Sequence, residues 1–131
     1  MTTGPTMRDI AIQLTHYPGE LARVAAVLSQ HKVNLTSLTG LAIGPHVTIR
    51  LIPDDIEAAR AAFDAASIRF QENEIVQVLL ENRAGELAMI STRLAEGGVN
   101  LRAIYVTGRV GNLVELALVP DNVMNAKRLL E

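Results

Sequence analysis

The sequence predicts an α+β fold built from two tandem copies of a β-α-β-β-α-β unit. Residues 14–35 match residues 80–101 without a gap, and 9 of these 22 aligned positions are identical. The offset of 66 residues (85 − 19) is the size of a small structural unit. Both stretches also change from a period of two to a helical period at the same relative place, so the duplication includes the local structure.

Apolar periodicity predicts the first strand and the first helix of each copy. Apolar and other residues alternate in residues 10–14 and again in residues 76–80, as in half-buried strands. Apolar residues then recur at spacings of three and four in residues 21–28 and 87–94, which predicts amphipathic helices. Each copy therefore opens with a strand followed by a helix.

The remainder of each copy predicts a hairpin and a second helix. β-rich segments begin at "VNLTSLTG" and "VNLRAIYVTG", and each is followed by another apolar run. Pro53-Asp54-Asp55 and Pro120-Asp121-Asn122 provide helix-start signals. The offset rises from 66 to 67 within this region, so the second copy has one extra residue, which we expect the hairpin turn to absorb.

The end of each copy differs. Residues 67–71 ("SIRFQ") predict a last strand for the first copy, followed by a turn at residues 72–74, whereas the second copy has no equivalent segment. The prediction is therefore two ferredoxin-like units with antiparallel sheets and helices on one face, in residues 7–72 and 73–131, of which the second lacks its last strand. Either residues 1–6 or a partner chain would cover the open edge.

Composition indicates a folded protein without a nucleic-acid partner. The chain is 49% apolar and 20% charged, with 5 prolines. Its net charge is −2 and its 12 Lys and Arg residues are scattered, so no basic stripe could neutralise a phosphate backbone. Cysteine is absent, which excludes thiolate chemistry. No signal peptide or bilayer-length apolar run is recognised, so we expect a cytoplasmic protein without a membrane partner.

The sequence contains no motif for catalysis. "TGRVGN" lacks the Lys-Ser/Thr end of a phosphate loop and is interpreted as a turn. The three histidines, His16, His31 and His46, are spread over separate elements and offer no metal-ligand spacing. The arginine-bearing anion loop of a small acyl phosphate hydrolase has only a near match here, at Arg83 in "ENRAG", so that enzyme class is disfavoured. We therefore expect no enzyme activity, no cofactor and no metal.

A short motif occurs in both copies at the strand-to-helix turn and again where the helix returns to a strand. It reads "PGELA" at 18–22 and "AGELA" at 84–88, and "VNL" at 33–35 and 99–101. This pattern resembles the ACT domain, a small regulatory module that binds amino acids in many metabolic enzymes. The second copy is similar to the serine-binding ACT domain of phosphoglycerate dehydrogenase, from which it departs at Leu80 and Ala84. That resemblance implies ligand roles for Asn82 and Asn100.

The residue types themselves fit a zwitterionic ligand. Unpaired N–H groups at a helix start can bind a carboxylate, and glycine there lets ligand atoms approach the backbone. An asparagine amide can both accept from an ammonium group and donate to a carboxylate. The candidate ligand residues are His16, Pro18, Gly19, Glu20, Leu21 and Asn34 in the first copy, and Asn82, Ala84, Gly85, Glu86, Leu87 and Asn100 in the second. Tyr105 is expected to lie beside the second site.

Two functions stay open at this point. The favoured one is a stand-alone amino-acid sensor, without a catalytic domain, that signals to a separate metabolic enzyme or regulator. The alternative is a structural or protein-interaction module that uses the same sheets without a ligand. An RNA-binding role would need aromatic residues on the central strands, and aromatics are only 3% of the chain. Open sheet edges predict a homodimer in either case.

Overall fold

The computed structural model describes residues 2–131, with side chains from residue 7 onward. Six antiparallel strands and four helices make an α+β fold in this described part of the chain. The elements are β1 (Thr2–Thr15), α1 (Glu20–Gln30), β2 (Leu35–Ile43), β3 (His46–Pro53), α2 (Ile56–Ala65), β4 (Gln71–Glu81), α3 (Glu86–Glu96), β5 (Leu101–Val110), β6 (Leu113–Pro120) and α4 (Val123–Leu130). The order β-α-β-β-α thus occurs twice. None of the helices among the described residues is long and apolar enough to cross a membrane.

The first compact unit comprises residues 8–73. Its strand order is β2-β3-β1-β4, in which β1 contributes residues 8–15 and β4 residues 71–73. β1 pairs with β3 from Ile10↔Leu51 to Thr15↔His46. Alternate strand residues and the inner faces of both helices build one core. The core residues are Ile10, Ile12, Leu14, Val24, Leu28, Val33, Ile49, Leu51, Ala59, Phe63 and Ile68. Because α1 and α2 share this core with one face of the strands, both helices lie on the same side of the unit's sheet.

The second compact unit comprises residues 74–131 together with the N-terminal segment through Met7. Its strand order is β1-β4-β6-β5, and β4 pairs with β6 from Val76↔Leu118 to Glu81↔Leu113. The core repeats the arrangement of the first unit. Its residues are Val76, Val78, Leu80, Ile90, Leu94, Val99, Leu116, Leu118, Ala126 and Leu130.

The N-terminal segment belongs to the unit whose sheet was predicted to have an open edge. No strand follows α4 within the described part of the chain. Residues 1–6 and a partner chain were the two expected covers of this edge, and the N-terminal segment through Met7 belongs to the second unit. In that unit β1 is the neighbour of β4. The alternating pattern at residues 10–14 therefore marks only the end of a strand that begins at Thr2.

The predicted strand at residues 67–71 and the turn at residues 72–74 are wrong. After α2, Ser67 adopts a φ of 56°, and the Ile68 N–H donates to the Phe63 carbonyl at 2.9 Å, so the chain turns rather than pairing. Phe70 then packs on Phe63 with ring centroids 5.7 Å apart. Residues 72–74 instead belong to β4, where the Glu72 carboxylate is held by arginine side chains. Arg8 lies 64 residues before Glu72, so local periodicity does not report this contact.

The extra residue of the second copy lies in a strand and not in the hairpin turn, which corrects that expectation. Both hairpins turn through two residues, at 44–45 and at 111–112. Pairing of β5 with β6 shifts register between Val106 and Gly108, so Thr107 is the inserted residue. Its hydroxyl donates to the Glu115 carboxylate at 2.7 Å. The bulge is thus fixed by a side-chain hydrogen bond.

Candidate functional site

Each strand-to-helix turn depends on a glycine. Gly19 has φ +95° and Gly85 has φ +92°, in a region that residues with a Cβ rarely adopt. The first intrahelical bonds run from the Arg23 and Met89 N–H groups to the Gly19 and Gly85 carbonyls, both at 3.0 Å. The sequence prediction of a glycine bend at these two helix starts is therefore confirmed by the backbone geometry.

The loop before each helix is also anchored to the adjacent hairpin of its own unit. The His16 N–H donates to the Pro45 carbonyl at 2.8 Å, and the Asn82 N–H donates to the Asn112 carbonyl at 2.8 Å. The His16 and Asn82 side chains take no part in these two backbone bonds, and both residues are exposed beside the helix start. The two loops share this framework and differ in the side chains that it presents.

In the second unit Arg83 links the loop to the helix. Its Nε donates to Glu86 Oε1 at 2.8 Å, and its Nη1 lies 2.8 Å from Glu81 Oε2. The hydrogen bond to Glu86, aided by the charges of Glu81 and Glu86, raises the pKa of Arg83 above its usual value. One cation therefore lies between two carboxylates at the start of α3. Neighbouring groups of both signs can bind the carboxylate and the ammonium group of a zwitterion.

In the first unit the equivalent glutamate has different partners. Glu20 accepts from Arg23 Nη2 at 3.2 Å and from the Tyr17 hydroxyl. The hydrogen bond from Arg23, followed by that from Tyr17, lowers the pKa of Glu20, and the same contact with Glu20 raises the pKa of Tyr17. Tyr17 occupies the position of Arg83 (17 + 66 = 83), so the first loop has an aromatic ring where the second has a cation.

A groove of about 320 Å³ lies in the second unit between the start of α3 and the helix side of the sheet. We call it the α3–β5 groove. Its floor is formed by Leu80, Val114 and Leu116. Its mouth is formed by Glu81, Asn82, Arg83 and Glu86. Its walls are formed by the side chains of Leu87, Ile104 and Val106, and Tyr105 of β5 also borders it.

Register explains why β5 supplies a wall of this groove. Ile104 pairs with Leu118 and Val106 with Leu116, and both partners belong to the core. Directly paired residues project from the same face of a sheet, so Ile104 and Val106 project toward the helix side. At the edge of the sheet they are incompletely covered, with 43% and 52% of their surfaces exposed. Leu87 on α3 is 54% exposed.

The candidate ligand residues of each copy do not all lie together within their unit. Gly19 precedes α1 and Asn34 follows it, and the 11 residues of the helix separate them by about 16 Å. Gly85 and Asn100 are separated by α3, also 11 residues, in the same way. One amino acid cannot contact both within a unit.

Each asparagine takes part in a backbone junction instead. The Asn34 N–H donates to Asp54 Oδ1 at 3.1 Å, and the Asp54 N–H donates to the Asn34 carbonyl at 2.9 Å. Asn100 and Asp121 form the same reciprocal pair, at 3.2 and 3.0 Å. These bonds join the start of a strand to the start of the second helix of its unit. The ligand roles of Asn34 and Asn100 stay predictions.

The structure therefore brings together only part of the predicted second site. Asn82, Glu86 and Leu87 line the α3–β5 groove, and so does Tyr105, which was expected beside it. Ala84 and Gly85 shape the exposed loop, and Asn100 lies at the far end of α3. The apolar walls and floor could not be predicted from the sequence, because residues such as Leu80 and Leu116 have the same pattern as any core residue.

In the first unit the predicted residues stay at the surface. His16, Pro18 and Gly19 form an exposed turn, and Glu20 and Leu21 begin α1. A wider groove of about 1000 Å³ lies elsewhere in this unit, between β1 residues 11–15 and residues 67–71. It includes none of the predicted ligand residues and is lined by mixed polar and apolar groups. The α3–β5 groove is the stronger candidate because it combines a predicted loop with a shaped apolar cavity.

Similarity to known proteins is found in structure and not in sequence. No protein-family profile and no curated protein sequence matches the chain. Protein BT0572 from Bacteroides thetaiotaomicron superposes with a TM-score of 0.85 at 22% identity, over 95% of this chain and 86% of that one. The regulatory subunit of aspartate kinase from Thermus thermophilus superposes with a TM-score of 0.63 at 14% identity, over 98% and 97% of the two chains.

The corresponding regulatory subunit from Thermus flavus gives a TM-score of 0.64 at 15% identity, over 99% of this chain and 96% of that one. At these identities the likeness shows the fold. It supports the ACT-type fold that the motif resemblance implied.

Proposed function

We propose that this chain is a regulatory protein built from two ACT-like units, which binds a free amino acid in the α3–β5 groove and acts on a separate metabolic enzyme or regulator. The observation that carries the proposal is the groove itself. It places an apolar cavity next to a loop that carries charges of both signs.

The chemistry of the mouth matches the two charges of an amino acid. The guanidinium of Arg83 and the N–H groups of the first turn of α3 favour a carboxylate, whereas Glu81 and Glu86 favour an ammonium group. Binding would replace part of the Arg83 ion-pair chain with contacts to the ligand. A change in that chain would alter the loop and the start of α3, which gives the bound state a distinct surface for a partner.

The regulatory assignment is supported by the fold. Two aspartate kinase regulatory subunits match this chain over nearly its whole length and theirs. Those proteins are named as regulatory subunits, so a chain of this architecture can serve regulation as a separate polypeptide. We propose that this chain likewise regulates a separate polypeptide and that its two units have no catalytic role.

A ligand screen tests the proposal. Thermal unfolding is measured with each of the twenty amino acids, and a true effector is expected to raise the melting temperature because it binds only the native state. N-acetyl and amide derivatives of each hit serve as controls, since each lacks one of the two charges. Melting curves that no amino acid shifts, followed by calorimetry without heat of binding, would contradict the proposal.

A second candidate function is association through the sheet edges. β2 carries no charged residue, and its exposed apolar side chains include Leu38, Leu41 and Ile43, with 49%, 65% and 71% of their surfaces exposed. Natural edge strands usually carry charges that prevent pairing, so this strand favours a partner. We propose a homodimer. Light scattering on the eluted protein is expected to give twice the 14.2 kDa mass of one chain, and a value of 14.2 kDa would refute it.

A further inference from the structure

The walls of the α3–β5 groove restrict the kind of amino acid that fits. Beyond the mouth, the lining residues are aliphatic except for Tyr105 of β5, which pairs with Ala117 and whose side chain projects from the other face of the strand. A volume of about 320 Å³ lies at the small end of the range for ligand pockets. Within the groove, charged groups stand only at the mouth. A ligand whose charges stay at the mouth therefore places its side chain against apolar surface.

Apolar surface discriminates strongly between side chains. A charged or hydroxyl-bearing side chain would lose its hydrogen bonds to water without finding partners there. An aliphatic or aromatic side chain would instead bury surface that is exposed in the free protein, because Leu87, Ile104 and Val106 are each about half exposed. Each added carbon in the ligand's side chain should thus strengthen binding to the groove, and each added polar group should weaken it.

The first unit provides an internal comparison. Leu38 occupies the position of Ile104, and Gly40 occupies that of Val106, at the common offset of 66 residues. At Gly40 a Cβ would lie 2.9 Å from Ile49 Cδ1, so the side chain of Ile49 fills the space over this residue. In the second unit the corresponding place holds the Val106 side chain, which lines the groove.

From this we infer that the effector carries a large apolar side chain, of the leucine, isoleucine, methionine or phenylalanine class, and binds to the second unit. The inference rests on the proposed function and specifies its ligand class. Because each buried methylene strengthens binding about fourfold, leucine should bind on the order of 10-fold to 100-fold more tightly than alanine. Serine and alanine are similar in size, so serine should gain nothing from its hydroxyl.

Isothermal titration calorimetry with a series of amino acids tests the inference. The series is alanine, valine, leucine, isoleucine, methionine and phenylalanine, with serine, threonine, lysine and aspartate as polar counterparts. Affinity is expected to rise with the size of the apolar side chain and to be weak for the four polar amino acids. Tighter binding of a polar amino acid would overturn the apolar class while leaving the sensor function intact. Absence of binding by every amino acid would instead remove the proposed function.

A matched pair of variants locates the site. Ile104→Lys places a charge on the groove wall, and Leu38→Lys makes the same change at the equivalent, similarly exposed position of the first unit. Leucine binding should fall at least tenfold in Ile104→Lys and stay unchanged in Leu38→Lys, with circular dichroism and thermal unfolding reporting that both variants fold. Equal effects of the two changes on leucine binding would overturn the assignment. If Ile104→Lys does not fold, Val106→Ser replaces it with the same expectation.

Discussion

Replacement of Gly85 by alanine tests the geometry on which the candidate site depends. A Cβ at residue 85 would meet no atom within 4 Å, so crowding cannot contribute to the result. The effect comes from the backbone: φ is +92°, and a left-handed conformation costs an alanine about 1–2 kcal/mol. Alanine also restricts the unfolded chain, which offsets about 0.4–1 kcal/mol. The expected net loss is about 1 kcal/mol.

The assay is unfolding of the variant by heat and by urea. A loss of about 1 kcal/mol should lower the melting temperature of a unit of this size by about 4–8 °C. Gly19→Ala in the first unit has nearly the same φ and should show the same loss. Gly85→Asn should be milder than Gly85→Ala, because asparagine tolerates positive φ better. A Gly85→Ala protein as stable as the wild type would refute the turn geometry.

Two further predictions concern packing and pH. Gly97 has an ordinary φ of −89°, but a Cβ there would overlap the side chain of Leu129. Gly97→Ala should therefore cost about 1–3 kcal/mol, and a urea double-mutant cycle with Leu129→Ala should recover part of that loss, whereas strict additivity would argue against this contact. Arg60, with a smaller contribution from Arg8, lowers the folded-state pKa of Glu72 below 4.5. The carboxylate thus stabilises the fold above pH 4.5 and ceases to do so as pH falls through the lowered pKa. Glu72→Gln should lower the melting temperature at pH 7 and leave it nearly unchanged at pH 2, and an equal decrease at both values would contradict the assigned ion pairs.

Elements with a complete local signal could be predicted from the sequence. Both helix starts after Gly19 and Gly85 were expected, because a glycine bend and a first-turn glutamate precede an apolar stripe. The helix starts at Asp55 and Asn122 were expected as well, and each side chain accepts from an N–H three residues later, at 3.1 and 2.9 Å. In these cases the residues that decide the structure are neighbours in the chain.

The errors arose where distant residues decide the structure. Residues 72–74 look like a turn because they are polar, yet Glu72 is fixed by Arg8, which is 64 residues away, and by Arg60. The candidate site shows the same division. Asn82 and Glu86 could be predicted from the loop motif, whereas the apolar wall supplied by Ile104 depends on how β5 pairs with β6.

The two copies separate the requirements of folding from those of ligand binding within one chain. Gly19 and Gly85 are identical because both turns need positive φ, which would hold whether or not either unit bound anything. The loops differ at Tyr17 and Arg83. Tyr17 gives Glu20 a neutral hydrogen-bond donor, whereas Arg83 places a cation between two carboxylates. Such differences do not alter the backbone framework, so folding does not require them. The informative positions for function are therefore those where the copies disagree, and they place a charged mouth and an apolar groove together in the second unit.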